Sequence, residues 1–324
     1  FLSLRILMKK IFFYISLVIL LLSYQVSLFA QEEMETDNQN TDVNITTDDE
    51  PQSGNKKLKR YLTYGTIFGS FAATYYYGAT AWEWGGQDFR WADEGWFGAD
   101  TDSGGIDKIG HMWAHYVLQR GFNNLFEYTL EDKTEALIVS TATAATIGLL
   151  IELGDGTSGK YGFSHEDLVI DWAGVALGAF LEAFPVADEF IGFTWEYWPT
   201  DEFLDETGRK RFHVTSDYSG HKYMINFKLA GFRAIGWDIP EFMRYIMLDF
   251  GYYTRGYTSY EEPGTEKTRH PYFGISLNMV EVVRDMFDDR DSMLCKGLQQ
   301  PFKYMHAPIG YEADYNLRSD NYSD

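Results

Sequence analysis

Four residues of one short stretch, Gly105–Tyr116 (GIDKIGHMWAHY), carry side chains that do chemistry: Asp107, Lys108, His111 and His115. At about 100° per residue, Asp107, His111 and His115 fall on one drifting helical stripe with Ala114 and Leu118. Histidines at i and i+4 have the spacing of a two-histidine metal face. Imidazole combined with carboxylate suits zinc or a similar divalent ion. No glutamate follows His111, so the zinc-protease pattern H-E-x-x-H is absent. Ionisable groups among apolar neighbours are costly to desolvate, so these four need partners.

Two later segments supply them. Thr141, Ala145, Gly148 and Glu152 share one stripe, and Asp167, Asp171, Gly174 and Gly178 share another. The glycine-rich turn between them, Gly154–Phe163, makes the two helices antiparallel and sets Glu152 and Asp167 at the same end. In an up-and-down arrangement the histidine helix begins at that end too. Asp107, Glu152, Asp155, Asp167 and Asp171 then face Lys108 as the one fixed cation. A metal, a protonated histidine or a shared proton must balance them. A divalent metal would take His111, His115 and Glu152 as ligands.

Plainer readings stand beside the chemical one. Asp107 and Lys108 suit the cap and first turn of a helix, or an ion pair that fixes helix register. Ser164-x-x-Asp167 has capping-box spacing, and Gly174-x-x-x-Gly178 suits close helix contact. A hydrogen-bonded network needs no metal. Gly154–Gly159 also spells G-x-G-x-x-G, and Lys160 completes most of a P-loop. Both motifs require a preceding strand, and Tyr161 stands where a P-loop needs Ser or Thr, so no nucleotide site is expected.

The elements that must hold these residues follow from periodicity. Helices are predicted over about 58–80, 106–128, 134–153 and 164–184, joined by mostly short connections, which favours a bundle. In the first helix Gly65, Gly69, Ala72 and Ala73 suggest close packing. Beyond about Thr200 the period becomes two, over Tyr223–Phe232, Arg244–Tyr253, Tyr272–Met279 and Ile309–Leu317, with a short helix near Glu281–Phe287. Four or five strands are too few for a closed spanning barrel, which needs about 8. The expected fold is therefore α+β: a four-helix up-and-down bundle at 58–199, then an antiparallel sheet or partial barrel at 200–324.

The 324-residue chain has a formal net charge of -21, with 48 acids against 27 bases, which argues against a nucleic-acid partner. Aromatic residues make up 17%, a bias that favours membrane borders and interfaces. Met8-Lys9-Lys10 reads as an initiator and basic n-region, with Phe1–Leu7 as upstream translation. Ile11–Leu22 reads as the apolar core of a signal peptide, cleaved after Ala30. Residues 31–57 read as a disordered acidic spacer. The protein is thus expected outside the cytoplasm, in the periplasm or at the outer membrane. Lys56–Arg60 opposes inner-membrane spans by the positive-inside bias. Cys295 is the sole cysteine, so neither an internal disulfide nor a lipoprotein cleavage site is expected.

These residues carry a resemblance. G-x-D-K-x-G-H-x-x-x-H-Y at Gly105–Tyr116, then Glu152 with Asp155-Gly156, then Gly162-Phe163-Ser164 with Asp167, resemble the bacterial family of predicted periplasmic lipoproteins typified by YfiM. Asp93–Gly98 and Asp100 fit its upstream segment, and the likeness covers about Arg60 to Glu182. It implies an envelope location more than an activity. A more distant similarity is to the VanZ-like membrane family, through Asp107-Lys108-His111 and through Ser164, Asp167, Gly174 and Gly178. Asp171 stands where that family has Asn. The expected function is a membrane-associated envelope protein with a structural or ligand-binding polar cluster. The alternatives are a metal-dependent enzyme acting on a lipid or cell-wall precursor, and a glycopeptide or lipid-carrier binder of the VanZ kind. The expected partner is a membrane surface or envelope component.

Overall fold

The computed structural model describes residues 50–201, 203, 214–257 and 265–318. The expected signal peptide and residues 31–49 of the expected spacer lie outside them. The chain is α+β and divides into two units. The described parts of the first are residues 50–92 and 115–182; those of the second are 93–114, 183–201, 203, 214–257 and 265–318.

The first unit is helical. α1 runs Glu50–Ala81, α2 Ile106–Leu130, α3 Lys133–Asp155 and α4 His165–Ala183. Residues 106–114 of α2 group with the second unit and the rest with the first. α1 begins eight residues earlier than the sequence suggested, so the end of the expected spacer is helical. Pro51 falls in its first turn, where a missing N–H costs nothing. Glu131, at φ 64°, reverses the chain between α2 and α3, and Asp132 caps α3 by accepting from the N–H groups of Thr134 (2.8 Å) and Glu135 (3.0 Å).

The apolar core of this unit is small. Phe122 and Phe126 of α2 pack with Ala136, Ala144 and Ile147 of α3 and Val175 of α4, and α1 adds Ile67 and Phe71. Thr63 near the middle of α1 donates to Thr129 at the end of α2 (2.6 Å). The Trp172 indole of α4 reaches the Ala145 carbonyl of α3 (3.2 Å). The packing expected at Gly178 is realised: a Cβ there would lie 2.5 Å from Gln119 Oε1 and 3.2 Å from the Tyr116 carbonyl. That expected at Gly65 and Gly69 is not, because nothing lies within 4 Å of a Cβ at either.

Two short parallel strands, β1 (Trp91–Ala92) and β2 (Phe163–Ser164), pin the loop after α1 to the start of α4. Further bonds fasten the turn between α3 and α4. Gln87 N donates to Thr157 O (3.1 Å), Arg90 N to Gly156 O (2.8 Å), and Ser158 Oγ to Trp82 O (2.5 Å).

In the second unit, the short helix α5 (Pro185–Phe190) leads into β3 (Ile191–Tyr197). The sheet thus starts inside the stretch assigned from sequence to the bundle, although Ile191, Phe193, Trp195 and Tyr197 do alternate. It continues through β4 (His221–Lys228), β5 (Ile246–Arg255), β6 (Thr268–Leu277) and β7 (Gly310–Asp314) in that order, and β8 (Leu317–Arg318) pairs with β6. All these pairings are antiparallel. α6 (Gly231–Ala234) follows β4, α7 (Met279–Asp285) follows β6, and α8 (Met293–Tyr304) precedes β7. α8 escaped the sequence reading; Gly297 and Pro301 interrupt its helical pattern.

One face of the sheet buries polar groups among Met224, Met247 and Tyr272. Thr194, Asn226 and Asp249 line up across β3, β4 and β5, with Thr194 donating to Asn226 (2.8 Å) and Asn226 to Asp249 (2.7 Å). The opposite face leaves Phe250, Phe273, Ile275 and Tyr311 exposed. His221 is held neutral by its bonds. Trp195 Nε1, a donor only, supplies Nδ1 (2.8 Å), so Nε2 carries the proton and donates to the Val214 carbonyl (2.9 Å).

Candidate functional site: a buried histidine–carboxylate cluster

Within the first unit, three helices turn polar side chains inward. His115 of α2 bonds through Nδ1 to Asp171 Oδ1 of α4 at 2.8 Å, with the Asp171 side chain wholly buried. Gly148 of α3 makes room for the pair: a Cβ there would sit 3.1 Å from both Asp171 Oδ2 and His115 Nε2. One turn further along α3, buried Glu152 accepts from the Ser164 backbone N–H at 3.0 Å. Ser164 Oγ in turn accepts from Asp167 N (3.2 Å) and donates to Glu166 Oε2 (3.3 Å).

The expected capping box is therefore half right. Ser164 caps α4, but the reciprocal bond to its own N–H comes from Glu152 on the preceding helix and not from Asp167. Asp155 points to another partner, accepting from the Trp84 indole at 2.7 Å. The turn that spells G-x-G-x-x-G follows a helix, as the rejection of a nucleotide site required.

The remaining expected residues fold with the second unit. Asp107 lies in the first turn of α2, where its charge suits the helix dipole. Lys108 is buried and pairs with Glu94 Oε2 at 2.5 Å, while Asp107 is 4.0 Å away. Its principal partner is thus a residue outside the expected cluster. His111 Nε2 lies 4.0 Å from Asp107 Oδ1. A Cβ at Gly110 would lie 3.0 Å from the Tyr223 hydroxyl. Burial, with the charge of Asp107 adding to it, pushes the Tyr223 phenol up and keeps it protonated.

A second polar layer went unread. The stripe of His111 and His115 continues, at the same spacing of four, to Gln119 and Asn123, both fully buried. Gln119 donates to Ser140 (3.4 Å), and Asn123 donates to Glu182 (3.1 Å). Arg120 pairs with Glu182 at 2.8 Å, both largely shielded from solvent. Extending the four-residue spacing past His115 would have found the two amides; nothing local marks Glu182 as the partner of Asn123 and Arg120.

This geometry orients one imidazole. A carboxylate on Nδ1 fixes the orientation of the ring, and Nε2 lies buried against Gly148. The segment that carries both His115 and Asp171 also carries the decisive likeness. Residues 93–183 match the DUF2279 family, described as predicted periplasmic lipoprotein. The DUF2279 segment starts later than the likeness seen in the sequence, so α1 falls outside it. Its description agrees with an exported location in the periplasm or at the outer membrane. Cys295 is buried in α8, where Gln299 donates to its sulfur at 3.0 Å. No curated protein matches the chain, and no solved structure does.

Proposed function

We propose that this is a membrane-associated envelope protein, without catalytic activity, whose buried polar cluster holds its helices in register. One observation carries the reading: beside their apolar cores, both units bury many polar groups and leave many large apolar side chains exposed. In the first unit His115, Gln119, Asn123, Ser140, Glu152 and Asp171 are buried. On the same helices Tyr61, Tyr64 and Phe68 of α1, Ile138 of α3, and Val169 and Phe180 of α4 are exposed. Water favours the reverse, whereas hydrocarbon or an interfacial layer favours what is seen. The sheet adds an exposed aromatic and aliphatic patch of Phe250, Phe273, Ile275 and Tyr311, of the kind that strands facing lipid carry. α3 is long and apolar enough to cross a membrane by length and composition.

Bonds between α1 and α2, between α3 and α4 and between α2 and α4 support an up-and-down arrangement of the helices. Flotation with phosphatidylcholine vesicles tests the reading. The chain should co-float, and Ile138→Asp with Val169→Asp should abolish flotation while leaving the circular dichroism unchanged. A detergent-free monomer that stays with the aqueous fraction would overturn it.

A second reading keeps a metal-dependent enzyme acting on a lipid or cell-wall precursor, with His111, His115 and Glu152 as ligands. The carboxylate on His115 Nδ1 favours it, because metal-ligating imidazoles are commonly oriented this way. Stoichiometric metal in protein purified without a histidine tag, lost in His115→Ala, would support it. The VanZ-like theme of lipid-carrier binding adds a candidate ligand to either reading.

A further inference from the structure

At one end of the second unit, a cavity of about 350 Å³ is lined by four arginines, Arg233, Arg244, Arg284 and Arg290, and by Glu189 and Glu281. That volume is in the range of small-ligand sites. In a chain of net charge -21 with 27 bases, four guanidinium groups gather around one space, matched in number by the carboxylates of Glu189, Glu241, Glu281 and Asp285. Acidic neighbours fix the forks without exhausting them. Arg233 gives one nitrogen to Glu241 (2.5 Å), Arg284 one to Glu281 (2.9 Å) and Arg290 one to Asp285 (3.1 Å). Arg244, buried beneath them, is held by Glu241 (2.9 Å), Glu281 (3.4 Å) and Asp285. A guanidinium has five N–H donors, so each of the three outer arginines keeps donors for a ligand.

The surroundings select the kind of ligand. The residues that flank this lining in sequence include Ile235, Trp237, Phe242 and Met286, all strongly exposed. Trp237 stacks on Phe232 at 4.9 Å. Guanidinium forks match phosphate oxygens in pairs, and exposed Trp, Phe and Met beside them suit the boundary of a bilayer.

We propose that this cavity binds a phosphate-bearing anion, presented on a lipid headgroup. The site differs from the histidine cluster and does not depend on the function assigned to it.

The test has two arms on the full chain. Flotation compares phosphatidylcholine vesicles with vesicles that also contain phosphatidate. Calorimetry measures binding of inorganic phosphate and glycerol 3-phosphate. A chain of this net charge should be repelled by anionic vesicles, so tighter capture by phosphatidate would oppose the bulk electrostatics. Arg233→Gln combined with Arg284→Gln, both partly exposed, should lower that capture about tenfold while leaving binding to phosphatidylcholine vesicles unchanged. Glu189→Gln should raise it. Absence of binding to both vesicle types would count against general membrane association and would also overturn the lipid source. Binding of free phosphate without preference for phosphatidate would overturn the lipid source. No binding in either arm, or binding indifferent to the arginine pair, would overturn the site.

Discussion

Gly148 is the residue on which the His115–Asp171 pair depends most simply. A methyl group there meets both partners at 3.1 Å, closer than packed side chains ordinarily allow. Gly148→Ala should therefore destabilise the chain by about 1–3 kcal/mol in urea unfolding, the usual cost of overpacking a filled site. Gly65→Ala is the control. Gly65 is exposed in α1 with nothing within 4 Å, so alanine should be neutral or stabilise by about 0.5–1 kcal/mol through helix propensity. If both changes cost the same, the space around Gly148 is not what holds the pair. The chemistry-bearing residue types were legible in sequence because ionisable side chains on apolar helices stand out. Their pairings were less so: Lys108 was matched to Asp107 by adjacency, yet it reaches Glu94, in a loop whose path no local pattern fixes.

At the level of elements, the helices are held by their ends as much as by their small apolar core. Asp132 accepts from two N–H groups at the start of α3, so Asp132→Ala should cost about 1 kcal/mol and fray the first turn, visible as faster amide exchange at Thr134 and Glu135. α4 borrows half of its cap from α3. The loss at Glu152→Gln should be smaller than at Glu152→Ala, because an amide oxygen can still accept from Ser164 N while a methyl cannot. The four helices and the four strongest strands could be read from their periods, since those periods come directly from backbone geometry. β3 alternated just as clearly but sat in a stretch already given to the bundle. α8 was hidden by a glycine and a proline that tertiary context tolerates.

For the molecule as a whole, the second unit carries a built-in response to acid. Burial lowers the His221 imidazole below its ordinary value, against the upward pull of the Val214 carbonyl and Asp217. Burial lowers His306 as well, with Lys222 adding to it and Asp249, Glu196 and Glu312 opposing. A base whose folded pKa is depressed takes up its proton more readily when unfolded. Its contribution to stability is therefore complete above about pH 6.5 and is lost as pH falls towards the folded value. Urea midpoints followed from about pH 8 to about pH 5 should decline, and less steeply in His221→Gln. The reverse slope would contradict the burial of these rings. Neither histidine was singled out in the sequence, because each is defined by strands far from it along the chain.

The loop between α3 and α4 is glycine-rich, the composition of a mere connector. Its bonds say otherwise. Thr157, Gly156 and Ser158 are tied to the segment after α1, and Glu152 reaches over twelve positions to the N–H of Ser164, the residue that caps the next helix. Such a segment works as a ruler: its residue count sets whether a carboxylate on one helix meets the start of another. Insertions and deletions should therefore accumulate in other connections and spare this one, whatever letters it is written in.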